Sequence, residues 1–236
     1  MQARQPVVHG WHWCPRGVRP GLLLGLLLGL LLGLAALAAD WDFDLILRNA
    51  EQRYGPLGAA GERILAWGRL IESSGELTEA DKLQTVNAFF NRQLHFVDDN
   101  RTWRQTDYWA TPVESLVKGA GDCEDYAIAK YFTLRRLGVS SEKLRITYVK
   151  ALVQGQAHMV LTYYGSPDAE PLVLDNLIDE IRPASQRPDL LPVYAFNAEG
   201  LYLPGRPVRS GDSKRLSRWQ ELLGKMRAEG FAIGDG

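Results

Sequence analysis

Apolar positions recur at helical spacing in the first half of the chain and give way to short strand-like runs in the second. Leu45 and Ile46, then Ile64, Leu65, Trp67, Leu70 and Ile71, flank the turn-forming pair Gly55-Pro56 and predict two short core-packing helices between Trp41 and about Ile71. Thr78 precedes Glu79 to Asp81 and a stripe of Leu83, Val86, Phe89, Phe90 and Leu94, the pattern of a capped amphipathic helix whose stripe reads as core. Phe96 to Thr111 shows neither helical nor strand period and predicts an ordered polar and aromatic loop. Pro112 then starts a short helix capped by Thr111 and ended by Gly119.

Cys123 to Leu137 predicts a further helix, with Asp122 as its N-cap and Gly138 as its stop. Beyond it, Leu144 to Val153, Ala157 to Tyr164 and Leu172 to Leu177 are rich in Val, Leu, Ile, Thr and Tyr and are separated by turn residues, so they predict strands joined as hairpins. A further strand or two is expected around Val193 to Leu203. Leu216, Trp219, Leu222, Leu223 and Met226 form one face of a closing helix. Helices first and antiparallel strands second define an α+β domain, with the central helix packed on the sheet in a papain-like arrangement.

The first forty residues follow another rule. Arg4, Arg16 and Arg19 precede an acid-free run of Gly, Leu and Ala from Gly21 to Ala39, with the small-x-small pattern Ala36-Leu37-Ala38 just before Asp40. Residues 1–39 are therefore expected to be an export signal, cleaved near Ala38 or retained as an N-terminal anchor, and 40–236 a single domain working outside the cytoplasm. With 46% hydrophobic and 23% charged residues the chain is of ordinary globular composition, and its net charge of -1 provides no broad field for nucleic acid. Cys14 lies within the signal, so the mature chain holds one thiol, Cys123, and no internal disulfide.

That thiol sits at a predicted helix start, where amide dipoles favour a thiolate; the bland reading is a small buried hydrophobe. A base is available in His158. With a hairpin turn centred near residue 167, position 158 faces 176 within a residue or two, which makes Asp175 a direct or diagonal neighbour of His158. Separately, His158 reads as a structural histidine and Asp175 as a strand-end carboxylate paired with an arginine. Together, Cys123, His158 and Asp175 have one account: nucleophile, base and orienting acid. His95 is the competing base, but it lacks an acidic partner in strand register and is taken as structural.

Asp122, Glu124 and Asp125 crowd Cys123 with carboxylates that oppose a thiolate. Either they cap the helix and complement its dipole, or they hold a Ca²⁺ that neutralises them and fixes the nucleophile's loop. Spacing alone does not choose, since no EF-hand pattern is present.

The run Asp107-Tyr108-Trp109-Ala110-Thr111-Pro112-Val113-Glu114, followed by Gly119-Ala120-Gly121-Asp122-Cys123-Glu124-Asp125-Tyr126-Ala127, resembles the bacterial transglutaminase-like cysteine proteases. Gly155-Gln156-Ala157-His158-Met159-Val160, Leu174-Asp175-Asn176 and Tyr194-Ala195-Phe196-Asn197 extend the resemblance over about Phe90 to Trp219. It implies a papain-like, transglutaminase-like fold, a triad of Cys123, His158 and Asp175, and Ca²⁺ on Asp122 and Glu124, with Asp125 as a further ligand. It also implies a large surface adhesin as substrate, cut in its N-terminal region at a di-alanine-type site to disperse biofilm. The implied inhibitor is a LapD-like inner-membrane receptor for cyclic-di-GMP. A transamidase using the same triad, or a non-catalytic calcium-dependent binding module, are the alternatives. Trp or Tyr side chains of Trp103 to Trp109 are expected either to line a peptide groove or to join the core. The Cys123 amide is expected in the oxyanion hole.

Overall fold

Asp42 caps α1 (Phe43–Tyr54) by accepting the Leu45 amide at 2.9 Å, and Gly55, at φ 78°, ends it. α2 (Ala59–Ser74) follows, and α3 (Glu79–Gln93) starts where the Thr78 hydroxyl accepts the Asp81 amide at 3.2 Å. These are the helices that the periodicity predicts. They belong to a computed structural model that describes residues 41–204, 209–213 and 216–233, so the export segment expected at 1–39 lies outside the described residues. No helix among the described residues is long and apolar enough to cross a membrane.

Trp67 of α2 is fully buried at the centre of the helical half. Its ring has Trp41, Phe43, Phe90 and Phe231 at centroid distances of 5.4 to 6.3 Å, and its Nε1 donates to Thr133 Oγ1 at 2.9 Å. Thr133 belongs to α6 (Cys123–Arg136), the long helix around which the domain is built. Every α6 residue from Glu124 to Leu134 is buried, because the helical layer covers one side and the sheet the other.

The sheet has six strands in the order β6-β5-β4-β3-β7-β8, all antiparallel: β3 (Leu144–Ala151), β4 (Gln156–Tyr163), β5 (Leu172–Leu174), β6 (Arg182–Pro183), β7 (Leu190–Phe196) and β8 (Leu201–Tyr202). The register sets Val149 of β3 opposite His158 of β4. Met159, Leu161, Tyr163, Leu174 and Phe196 pack into the main core, whereas Val149, Val160 and Val173 form a small separate cluster, as strand alternation requires. α7 (Ser217–Glu229) closes the domain through Trp219, which stacks on Phe132 of α6 at 5.4 Å.

Local chemistry moves several predicted boundaries. The segment expected to be a loop contains a one-turn helix, α4 (Asp99–Thr102), and before it β1 (His95–Phe96) pairs in parallel with β2 (Ala120–Gly121). α5 (Pro112–Lys118) is as expected, with a capping box between Thr111 and Glu114 and Gly119 at φ 63° after it. The third predicted strand stops at Leu174 rather than Leu177. Asp175 Oδ1 accepts the amides of Asn176 and Leu177, at 2.7 and 3.1 Å, and turns the chain out of the ladder. β7 begins at Leu190, earlier than Val193, and Asn197 makes the turn into β8 by accepting the amides of Glu199 and Gly200.

Candidate active site

Three features fix the start of α6. Gly119 releases the chain from α5, β2 pairs with β1, and the Asp125 side chain reaches back to hold the loop in front of it. Asp125 Oδ1 accepts the Ala110 amide at 2.8 Å and its Oδ2 the Asp122 amide at 3.3 Å. Gly121 leaves room for this, since a Cβ there would lie 2.7 Å from Asp125 Oδ2. Cys123 thus sits at the first turn of a fully packed helix, partly exposed, with its thiol 3.1 Å from Glu124 Oε2. Burial, with the charges of Glu124 and Asp122, pushes this thiol far up, with the Met159 backbone opposing the shift.

α6 packs along β4, so the nucleophile's helix lies against the strand that carries His158. The His158 Nε2 lies 2.8 Å from Asp175 Oδ1, both side chains buried. β4 and β5 pair as Leu161 with Leu174, so Asp175, just past the ladder, is diagonal to His158. Arg187 holds the other carboxylate oxygen at 2.7 Å. Burial would raise Asp175, but His158 and Arg187 outweigh it and hold the acid down at about 2. With Nε2 bound to Asp175, Nδ1 is the ring nitrogen left to exchange a proton with a thiol. The structure thus brings His158 and Asp175 into contact and packs the helix that begins at Cys123 against the strand that carries His158. His95 is exposed and has no carboxylate partner among the described residues.

The acids around Cys123 converge with two others, Asp99 and Asp107, that spacing along the chain does not single out. Ligand oxygens of Asp99, Asp107 and Glu124 lie within 4.8 Å of one another, and so do those of Asp99, Asp122 and Asp125. Asp99 Oδ1 and Asp122 Oδ1 are buried with no hydrogen-bond partner among the described residues. Burial and neighbouring carboxylates push Asp99 up to about 6 and Asp122 up to about 10. Orphaned, mutually repelling oxygens of this kind fit a hard cation such as Ca²⁺. Asp125 is different: both of its oxygens already hold backbone amides, so its first task is to fix the loop. Asp99 was hidden because it stands 23 residues before Asp122 by numbering and is brought in by α4, a turn too short for any periodicity to reveal. The Tyr108 amide donates to Asp99 Oδ2, which secures the acid's second oxygen.

The aromatic segment divides. Trp109 stacks on Phe196 at 5.4 Å and joins the core, while Trp103 and Tyr108 pair with each other at 4.5 Å, half-buried.

A buried imidazole–carboxylate pair on the sheet against which a helix-start thiol is packed is the arrangement of a cysteine protease, and the comparisons place it in a family. The model of the bacterial transglutaminase-like cysteine proteinases matches residues 71–189. LapG of Legionella pneumophila is 46% identical, with a TM-score of 0.69 over 80% of this chain and 99% of that one. The EGTA-treated form of that protein gives 46% identity and a TM-score of 0.70, covering 80% of this chain and 100% of that one. Its calcium-bound form gives 47% and 0.67, covering 78% and 98%. No match is found among curated proteins. The chain belongs to the bacterial transglutaminase-like cysteine proteinases.

Proposed function

We propose that this protein is a calcium-dependent endopeptidase of the periplasm that cuts the N-terminal region of a large surface adhesin at a di-alanine-type site, releasing the adhesin and dispersing biofilm. A LapD-like inner-membrane receptor for cyclic-di-GMP would restrain it. The observation that carries the chemical part is the buried contact of His158 with Asp175, with the helix that begins at Cys123 packed on the strand that carries His158. The substrate and the receptor rest on likeness to LapG, and the periplasmic setting on the apolar run ending at Ala39.

In the proposed reaction the Cys123 sulfur attacks the scissile carbonyl carbon as its proton passes to His158 Nδ1. The C–N bond breaks as His158 returns that proton to the leaving amine, and water, deprotonated by His158, then releases the acyl group and the free thiol. Asp175 keeps the ring oriented and stabilises the imidazolium. The first amides of α6 have no intrahelical acceptor, so the Cys123 N–H is free to face the oxyanion. Asp99, Asp107, Asp122 and Glu124 would hold the calcium ion. Bound there, it would supply positive charge that offsets the carboxylates now opposing thiolate formation.

The test is incubation of an adhesin N-terminal fragment with the purified mature protein, with calcium or with chelator, read by intact mass. Two fragments with calcium and none with chelator, lost in Cys123→Ala and His158→Ala, are expected. A mass shift without scission would replace the protease with a transamidase, and cleavage by Cys123→Ala would end the proposal. N-terminal sequencing of the periplasmic form tests export and removal of the segment ending near Ala38.

A further inference from the structure

The side of the sheet that carries Val149, Val160 and Val173 bears a cavity of about 450 Å³, and these three valines form its apolar floor. Its size lies within the roughly 300–1,000 Å³ of pockets that take small molecules. Cys123, His158 and Asp175 do not line it, so it is separate from the catalytic machinery.

Two buried arginines border this cavity, 7% and 4% exposed at Arg145 and Arg187. Arg187 is committed to Asp175 and Asp189, at 2.7 and 2.8 Å, although its Nη1 is buried without a partner among the described residues. Arg145 has no carboxylate partner among the described residues, and its Nε is buried with no hydrogen-bond partner. Its guanidinium lies between two rings, 4.1 Å from the centroid of Tyr164 and 3.9 Å from that of Tyr202. Stacking engages the faces of the cation and leaves its in-plane N–H groups without an acceptor. Asp168 is the carboxylate in the lining; it is exposed and forms no ion pair with Arg145.

With its Nε buried and no carboxylate partner among the described residues, this guanidinium is suited to an anion that meets its edge. The valine floor requires the rest of the ligand to be hydrocarbon. We propose that this cavity binds a small amphiphilic carboxylate, its acid group held by Arg145 and its alkyl body lying on Val149, Val160 and Val173. A neutral hydrocarbon leaves the cation unmatched, and a sugar phosphate leaves the valines unmatched.

Octanoate, octanamide and octylamine titrated calorimetrically into the full chain distinguish these cases. Octanoate binds saturably at a single site, octanamide on the order of 30-fold more weakly, and octylamine not at all. Arg145→Gln loses the octanoate preference. The three-ligand comparison on the unaltered chain decides the matter even if that variant does not fold. Equal affinity for octanoate and octanamide, no octanoate binding, or binding of an acidic peptide in its place, overturns the proposal.

Discussion

Lys130 reaches from the helix that begins with Cys123 to the backbone carbonyl of Asp175, 3.0 Å away. Its side chain is fully buried, and the same carbonyl accepts a second hydrogen bond from Asn91 at 2.9 Å. The contact latches the nucleophile's helix to the strand end that carries the acid, so two elements from different layers keep their spacing. A lysine suits this role because its stem packs in the core while its head crosses to the sheet.

The latch has a pH signature. Burial lowers Lys130 to about 7 from the ordinary 10.5, against the opposing charges of Asp175 and Asp179. Between these values the unfolded chain holds the additional proton, so this residue makes stability rise with pH from about 7 to about 10.5. Lys130→Met removes that rise. Urea unfolding across the window checks it, and an unchanged slope would mean that Lys130 stays charged in the fold.

Arg187 is the structural support of Asp175. The acid's value of about 2 lies below the ordinary 3.8, so its contribution is complete above 3.8 and is lost as pH falls towards 2. Arg187→Gln leaves the buried carboxylate with one partner fewer. It should cost about 3 kcal/mol near neutral pH and move the acid loss of stability upwards. Denaturant midpoints as a function of pH measure both effects.

Asp99 and Asp125 separate calcium binding from folding. Asp99→Asn removes charge from an oxygen without a partner, so the calcium needed for half-maximal cleavage should rise by about tenfold or more. The melting temperature in chelator should hold or increase, because a buried repulsion is relieved. Asp125→Asn should instead lower the melting temperature with or without calcium, since Asp125 holds the amides of Ala110 and Asp122. An unaltered calcium midpoint in Asp99→Asn would remove that residue from the site.

Gly121 is required by space, since a methyl group would stand 2.8 Å from the Asp125 Cβ as well as 2.7 Å from its oxygen. Gly121→Ala should destabilise by about 1–3 kcal/mol. Combined with Asp125→Ala, the losses should fall short of additive, because both changes break the same contact. Thermal melts of the two single variants and the double variant give the coupling.

Much of this was legible along the chain. Periodicity placed α1, α2, α3 and α7, and the caps at Thr78 and Thr111 marked helix starts that the hydrogen bonds reproduce. Hairpin counting brought Asp175 to His158 although it set the register one residue away from the observed Leu161–Leu174 pairing. A diagonal contact tolerates that difference, because an imidazole spans it. Asp99 and Asp107 escaped notice as companions of Asp122 and Glu124, and so did Arg187 as the partner of Asp175. Each comes from a segment with no periodic signal, and chain position says nothing about where such a segment folds back.

By itself, the sequence determined the order of elements, the placement of a thiol at a helix start, and the local adjacency of acids to that thiol, because these depend on spacing within one segment. Only the tertiary structure decided that Asp125 serves the backbone while Asp99 and Asp122 keep oxygens unpartnered among the described residues. It likewise decided that Trp109 joins the core and that Arg145, 7% exposed, has no carboxylate partner among the described residues. Those outcomes depend on which groups from distant segments arrive to satisfy a charge or fill a volume, and burial makes their presence or absence consequential.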